Sequence, residues 1–288
     1  MSALKGKFNL NKFVVTAELF PPKGTDISTL LRKADVLSSV VDGINVTDNQ
    51  RASMRLGSMA VCRLLKEKGY EAILQLTCRD RNRIALQSDL LSAYVLGIEN
   101  ILILSGDHPL IGEYFDAKPV YDLDTVQLIS AARLLETGVD LAGKALVGAP
   151  RYCIGAVANP CADPLELALM SLEKKVNAGA EFIQTQPVFN VEDFKKFREA
   201  AGKIPVKMLA GVALLKSIKF VKFLRTLPGV HVPEEAAKRM EASSDPLAEG
   251  IKICAETITK LKGMADGVHI MAIGMEEYIP EIVKLAGI

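Results

Sequence analysis

Short apolar runs, often rich in β-branched residues, alternate along the chain with longer stretches whose apolar positions recur every three or four residues. The first pattern is that of buried strands and the second that of amphipathic helices. Their regular alternation predicts a parallel sheet built from βα units. Strands are expected over residues 14–21, 43–48, 72–78, 100–106, 152–158, 182–187, 206–212 and 268–273. Helices are expected over 28–41, 54–68, 84–96, 125–137, 164–178, 191–200, 246–262 and 275–285. Asp163 and Pro164 suit the N-cap and first helical position of the fifth helix, and Gly97, Gly138 and Gly179 follow helices where a left-handed cap favours glycine.

Eight βα units suit a closed (β/α)8 barrel, although a doubly wound open sheet shows the same alternation. The side-chain pattern favours closure. Val14, Thr16 and Glu18 share one strand face, as do Asn45 and Thr47, Gln75 and Thr77, Ser105 and Asp107, and Gln184 and Gln186. Opposite them stand Val15, Ala17 and Leu19, then Ile44 and Val46, Leu74 and Leu76, and Leu102 and Leu104, a face suited to packing on helices. A merely packed barrel interior would be Val, Ile and Leu. Polar groups converging on the C-terminal mouth are costly to bury without partners, so they point to a ligand.

The remaining bulk properties mainly exclude. Nothing resembling a linker, charge block or low-complexity tract divides the chain, so one domain is expected over residues 1–288. A net charge of +1 gives no electrostatic reason to expect nucleic acid or an anionic membrane as partner. The N-terminal stretch has no apolar core of a signal peptide, and no apolar run is long enough to span a bilayer, so a cytoplasmic protein is expected. Cys62, Cys78, Cys153, Cys161 and Cys254 contain no CxxC pair, which speaks for reduced thiols and against a local zinc or iron–sulfur site. His108, His231 and His269 are too widely spaced to suggest a metal triad; no metal is expected, and His269 reads as a structural barrel residue.

Glu18 precedes Leu19-Phe20-Pro21-Pro22 at the end of an apolar strand. A carboxyl group held among aromatic and aliphatic neighbours keeps its proton more readily and can act as a general acid, whereas an exposed or ion-paired strand-end glutamate would be inert. Leu104-Ser105-Gly106-Asp107-His108-Pro109 ends the fourth strand. Its glycine would let backbone approach a planar ligand and its aspartate accept hydrogen bonds from that ligand's edge; a plain Gly-Asp turn explains it equally well. The run from Thr77 to Arg83 carries three arginines and reads either as a solvated loop or as an attractor for an anionic group.

Together, Ala17-Glu18-Leu19-Phe20-Pro21-Pro22, Val46-Thr47, Leu76-Thr77-Cys78, Leu104-Ser105-Gly106-Asp107 and Lys175-Val176-Asn177-Ala178-Gly179-Ala180 leading to Thr185-Gln186 resemble the methylenetetrahydrofolate reductase family. The match covers nearly the whole chain and is to the short bacterial catalytic barrel. The resemblance implies an oxidoreductase of one-carbon metabolism, a flavin across the mouth, and hydride passing from NADH or NADPH through the flavin to the folate. FAD is the implied cofactor, with FMN the alternative. Glu18 matches the general acid, Asp107 a residue contacting flavin and folate, and Gln186 a substrate-contacting glutamine. Thr47, Ser105, Gly106, Ala158, Asn159 and Lys175 fall at flavin-contacting positions.

The chain also departs from the family pattern. Asp48-Asn49-Gln50-Arg51-Ala52-Ser53 replaces a glycine-rich stretch, Ser105 stands where an arginine is familiar, Asn159 where a tyrosine is, and Ala168 where an acid grips the adenosine ribose. These changes fall at the adenosine end and bear on direct nicotinamide use. An electron-supplying partner subunit, as in relatives from anaerobes, is therefore an expectation alongside a homo-oligomer. A pterin-binding methyltransferase barrel and a non-catalytic flavin- or folate-holding subunit are the competing readings.

Overall fold

The computed structural model describes residues 2–202, 204–226 and 230–288. Its strands are β1 (Val14–Leu19), β2 (Gly43–Val46), β3 (Ala72–Thr77), β4 (Asn100–Leu104), β5 (Cys153–Ala158), β6 (Phe182–Pro187), β7 (Lys207–Ala213) and β8 (Gly267–Met271). All are parallel and pair in chain order, and β8 returns to β1, with Thr16 opposite His269. The expected (β/α)8 barrel forms, and the open doubly wound sheet is excluded.

The helices are α1 (Ala3–Asn9), α2 (Ser28–Ser38), α3 (Ser58–Glu67), α4 (Arg83–Val95), α5 (Thr125–Glu136), α6 (Leu165–Ala178), α7 (Val191–Ala201), α8 (Ile218–Leu224), α9 (Glu234–Ala242), α10 (Pro246–Leu261) and α11 (Ile279–Ala286). Local chemistry sets several of their ends. Asn82 accepts from the backbone N–H groups of Ile84 and Ala85, and Asp124 forms a capping box with Gln127. Gly97 and Gly138 take the expected positive φ just after α4 and α5. Asp163 is not the cap of α6: Pro164 occupies that place in extended backbone, and the helix starts at Leu165. The helix expected from residue 54 starts only at Ser58, after Gly57 in non-helical backbone. The last expected helix divides into a 3-10 turn at Glu276–Tyr278 followed by α11. Helices α1, α8 and α9 were not anticipated, being short and embedded in mixed polar sequence.

Outward-facing Ala17, Ile44, Leu74, Ile101, Ile154 and Ile183 join the helices in the main core. Inside the barrel, Val14, Ile73, Leu102, Cys153, Phe182 and Leu209 form a separate apolar floor at the N-terminal end, closed from below by Leu4 and Phe8 of α1. Phe182 fills the centre of this floor because Gly155 leaves room: a Cβ at Gly155 would lie 2.2 Å from its ring. One face assignment is overturned here. Leu102 belongs to the floor and Leu104 packs against it, while Ile101 and Ile103 face the helices. The strand ends at Leu104, so alternation does not carry through to Ser105 and Asp107. Gly106, at φ +83°, turns them towards the mouth. Among the described residues, no helix is long and apolar enough to cross a membrane.

Candidate functional site

Above the apolar floor the inward positions become polar, with Thr16, Asn45, Gln75, Gln184 and His269 all buried. Most of these groups find partners in one another, while Asn45 Oδ1 is buried without one among the described residues. Thr16 Oγ1 lies 2.9 Å and Asn45 Nδ2 3.3 Å from His269 Nδ1, and Gln184 Nε2 donates to Thr16 Oγ1 at 3.4 Å. Glu18 stands on this layer. Gln75 Nε2 donates to its Oε1 at 3.5 Å, and His269 Nε2 lies 3.5 Å from the same oxygen. With Asn45 Nδ2 as donor, His269 Nδ1 would accept and the imidazole proton would sit on Nε2, on the side of Glu18. The Glu18 side chain remains 19% exposed, open to the mouth.

The aromatic and aliphatic setting expected of Glu18 is not its hydrogen-bonding environment. Alternation sends Leu19 outward into the core, leaving Glu18 with an amide and an imidazole. His269 is buried in β8 against Thr16, and it also reaches the carboxyl group.

Gln75, Thr77, Leu104, Ser105, Gly106, Asp107 and Gln186 line one mouth cavity of about 270 Å³. Thr47 is buried beside it and donates through Oγ1 to Gln50 Oε1 at 2.8 Å. Asp107 is exposed, and its Oδ2 accepts the Arg51 N–H at 2.8 Å. On the β5 side, Lys175 reaches from α6 to donate through Nζ to the Val157 carbonyl at 2.8 Å, and burial lowers its pKa. Ala158 is buried at the end of β5. Asn159 Oδ1 accepts the Cys161 N–H at 3.0 Å, tying that loop together. Ala168 packs against the core. Ser105, Gly106, Asp107 and Gln186 thus line one opening, and Glu18, Thr47 and Lys175 reach its lining through Gln75, Gln50 and Val157 respectively.

The segment after β2 takes left-handed backbone without glycine: φ is +46° at Asn49, +57° at Arg51 and +49° at Ala52. Such conformations cost about 1 kcal/mol or more each and persist where surrounding contacts fix them. Arg79 supplies much of that fixing. It is 2% exposed, and its guanidinium donates to the carbonyls of Asn49 and Asp107, both at 3.1 Å, while pairing with Asp80 at 2.7 Å.

The arginine-rich run is solvated at Asp80, Asn82 and Arg83, while Arg79 is buried, and each of its arginines has a carboxylate partner. Arg81 pairs with buried Asp48 and with Asp89, and Arg83 with Asp122. Sequence spacing could not show the pairs with Asp48 and Asp122, which come from other loops. Arg79→Met should lower unfolding free energy by about 2–3 kcal/mol, less than a fully buried pair because Asp80 is partly exposed. Urea unfolding midpoints would measure the loss.

The family pattern for methylenetetrahydrofolate reductase matches residues 4–287. A 5,10-methylenetetrahydrofolate reductase from Pectobacterium carotovorum is 29% identical over 81% of this chain and 73% of that protein. A probable methylenetetrahydrofolate reductase (NADPH) from Caenorhabditis elegans is 26% identical over 76% of this chain, which spans only 33% of that longer protein. A solved structure from Clostridium thermocellum, of a protein that binds two copies of 5-methyl-5,6,7,8-tetrahydrofolic acid, shares the fold with a TM-score of 0.69 at 17% identity. That likeness covers 99% of this chain and 98% of the other. Because the family pattern runs through every strand of the barrel and the polar mouth they build, this chain belongs to the methylenetetrahydrofolate reductase family.

Proposed function

We propose that residues 1–288 act as one catalytic barrel that reduces 5,10-methylenetetrahydrofolate to 5-methyltetrahydrofolate in a flavin-dependent reaction, with Glu18 as general acid. The observation that carries this reading is the position of Glu18, a partly exposed carboxyl group on a buried polar layer at the end of the barrel where such enzymes act.

The residues at the mouth fit a flavin. Thr47, Ser105, Gly106 and Asp107 offer hydroxyl, backbone and carboxylate groups to the polar edge of its ring. Ala158 and Asn159 border it on the β5 side. Lys175 is a desolvated cation whose hydrogen bond goes to a neutral carbonyl, which suits a phosphate. We propose FAD as the bound form, with FMN the alternative, since Ala168 offers no acid to a ribose. When bound, the flavin supplies hydride acceptance from the reductant and hydride donation to the one-carbon unit.

Around it, this chain's own groups move and hold the proton. Glu18 protonates the folate nitrogen that leaves as the five-membered ring opens to an iminium ion. The carboxylate that remains on Glu18 accepts from the Gln75 amide at Oε1, with His269 Nε2 3.5 Å from the same oxygen. Gln186 and Asp107, both lining the opening, orient the folate. The five cysteines are all buried and free of disulfides, which supports a reducing, cytoplasmic setting.

An anaerobic assay for 5-methyltetrahydrofolate tests the reading, with NADH, NADPH or a low-potential dye as reductant. Product with a nicotinamide identifies the direct donor. Product with the dye alone assigns electron supply to a partner subunit, and no product with any reductant refutes the proposal. Lys175→Met should weaken flavin retention about ten- to a hundredfold, the worth of a charge-assisted hydrogen bond, as measured by equilibrium dialysis.

A further inference from the structure

Cys161, Asp193 and His231 come from three separate connections at the C-terminal face: the loop after β5, the first turn of α7, and the segment between α8 and α9. One ligand-capable atom from each lies within 4.8 Å of the other two. Asp193 Oδ2 is 3.7 Å from Cys161 Sγ and 3.3 Å from His231 Nδ1. As hydrogen bonds both are long. They match the edges of a tetrahedron around zinc, which ordinary Zn–S, Zn–N and Zn–O lengths set at about 3.5 Å for sulfur to oxygen and about 3.3 Å for nitrogen to oxygen.

We propose that Cys161, Asp193 and His231 bind one zinc ion, with a fourth position open to water. One soft thiolate, one imidazole and one carboxylate suit this metal. His231 is 60% exposed, so the ion has a path of entry, while Cys161 is buried and shielded. Without a cation, burial and the neighbouring Asp193 carboxylate push the Cys161 thiol up to about 12, so it does not serve as a free nucleophile. Zinc binding releases that proton to solvent as the Zn–S bond forms, with no change of oxidation state. Because the Cys161 N–H is held by Asn159, the ion would clamp the loop at the β5 side of the mouth. The zinc site does not depend on the proposed reductase activity.

The full chain, purified under reductant with zinc supplied, should retain about one zinc per chain by mass spectrometry, and its zinc K-edge absorption should show one sulfur neighbour at about 2.3 Å. Cys161→Ser should remove the sulfur signal. His231→Ala, at an exposed position that leaves the core untouched, should weaken zinc at least about a hundredfold in competition with a chromophoric chelator. No retained zinc, or zinc held with unchanged affinity in His231→Ala, would overturn the site.

Discussion

Glu18→Gln is expected to keep its flavin and to accept electrons at an unchanged rate, yet to lose about 10²–10⁴ in folate-dependent turnover, the usual contribution of a positioned general acid. The substitution preserves size and leaves an Oε1 to accept from Gln75, so the polar layer should stay intact. Only the transferable proton is lost. Rapid mixing separates the two halves of the reaction: the reductive half should match the unmodified protein, and the oxidative half should collapse. Loss of both halves together would instead mean that Glu18 organises the mouth.

Phe182→Ala is expected to lower unfolding free energy by about 3–5 kcal/mol, at the upper end for core truncation. Its ring is fully buried at the centre of the barrel floor, 5.4 Å between centroids from Phe8 of the closing helix. The barrel is closed on all sides, so little can collapse into the vacancy. Gly155→Ala tests the same packing from the other side, since the added methyl would strike the ring. Alone it should cost about 1–3 kcal/mol, and in the Phe182→Ala background much less, because the obstacle has gone. Additive losses in urea unfolding would show that the two residues do not share that space.

Periodicity made the barrel legible because period-2 alternation survives any change of partner, so Thr16, Glu18, Asn45, Gln75 and Gln184 could be placed on a common inner face before the fold was known. The same rule failed at the end of β4, where a glycine turn, not strand parity, aims Ser105 and Asp107. Short helices escaped for a different reason. The α1 helix buries only Leu4 and Phe8 and declares itself only through them, and their burial depends on the barrel they close. Non-local pairings were the least readable. The carbonyls of Asn49 and Asp107 held by Arg79, the pairing of Arg81 with Asp48, the approach of His269 to Glu18, and the meeting of Cys161 with Asp193 and His231 join residues from different loops or strands. Adjacency in sequence could not show them. The absence of a CxxC pair spoke only to a local metal site, whereas the proposed one is assembled by the fold.

The most direct measurement is the anaerobic absorption spectrum of the purified protein, taken as isolated, after reduction, and after addition of 5,10-methylenetetrahydrofolate. The expected result is a flavin spectrum that bleaches on reduction and returns with the folate, with 5-methyltetrahydrofolate formed in equal amount. A protein that stays colourless after incubation with FAD and FMN, or a reduced flavin that the folate leaves bleached, would contradict it.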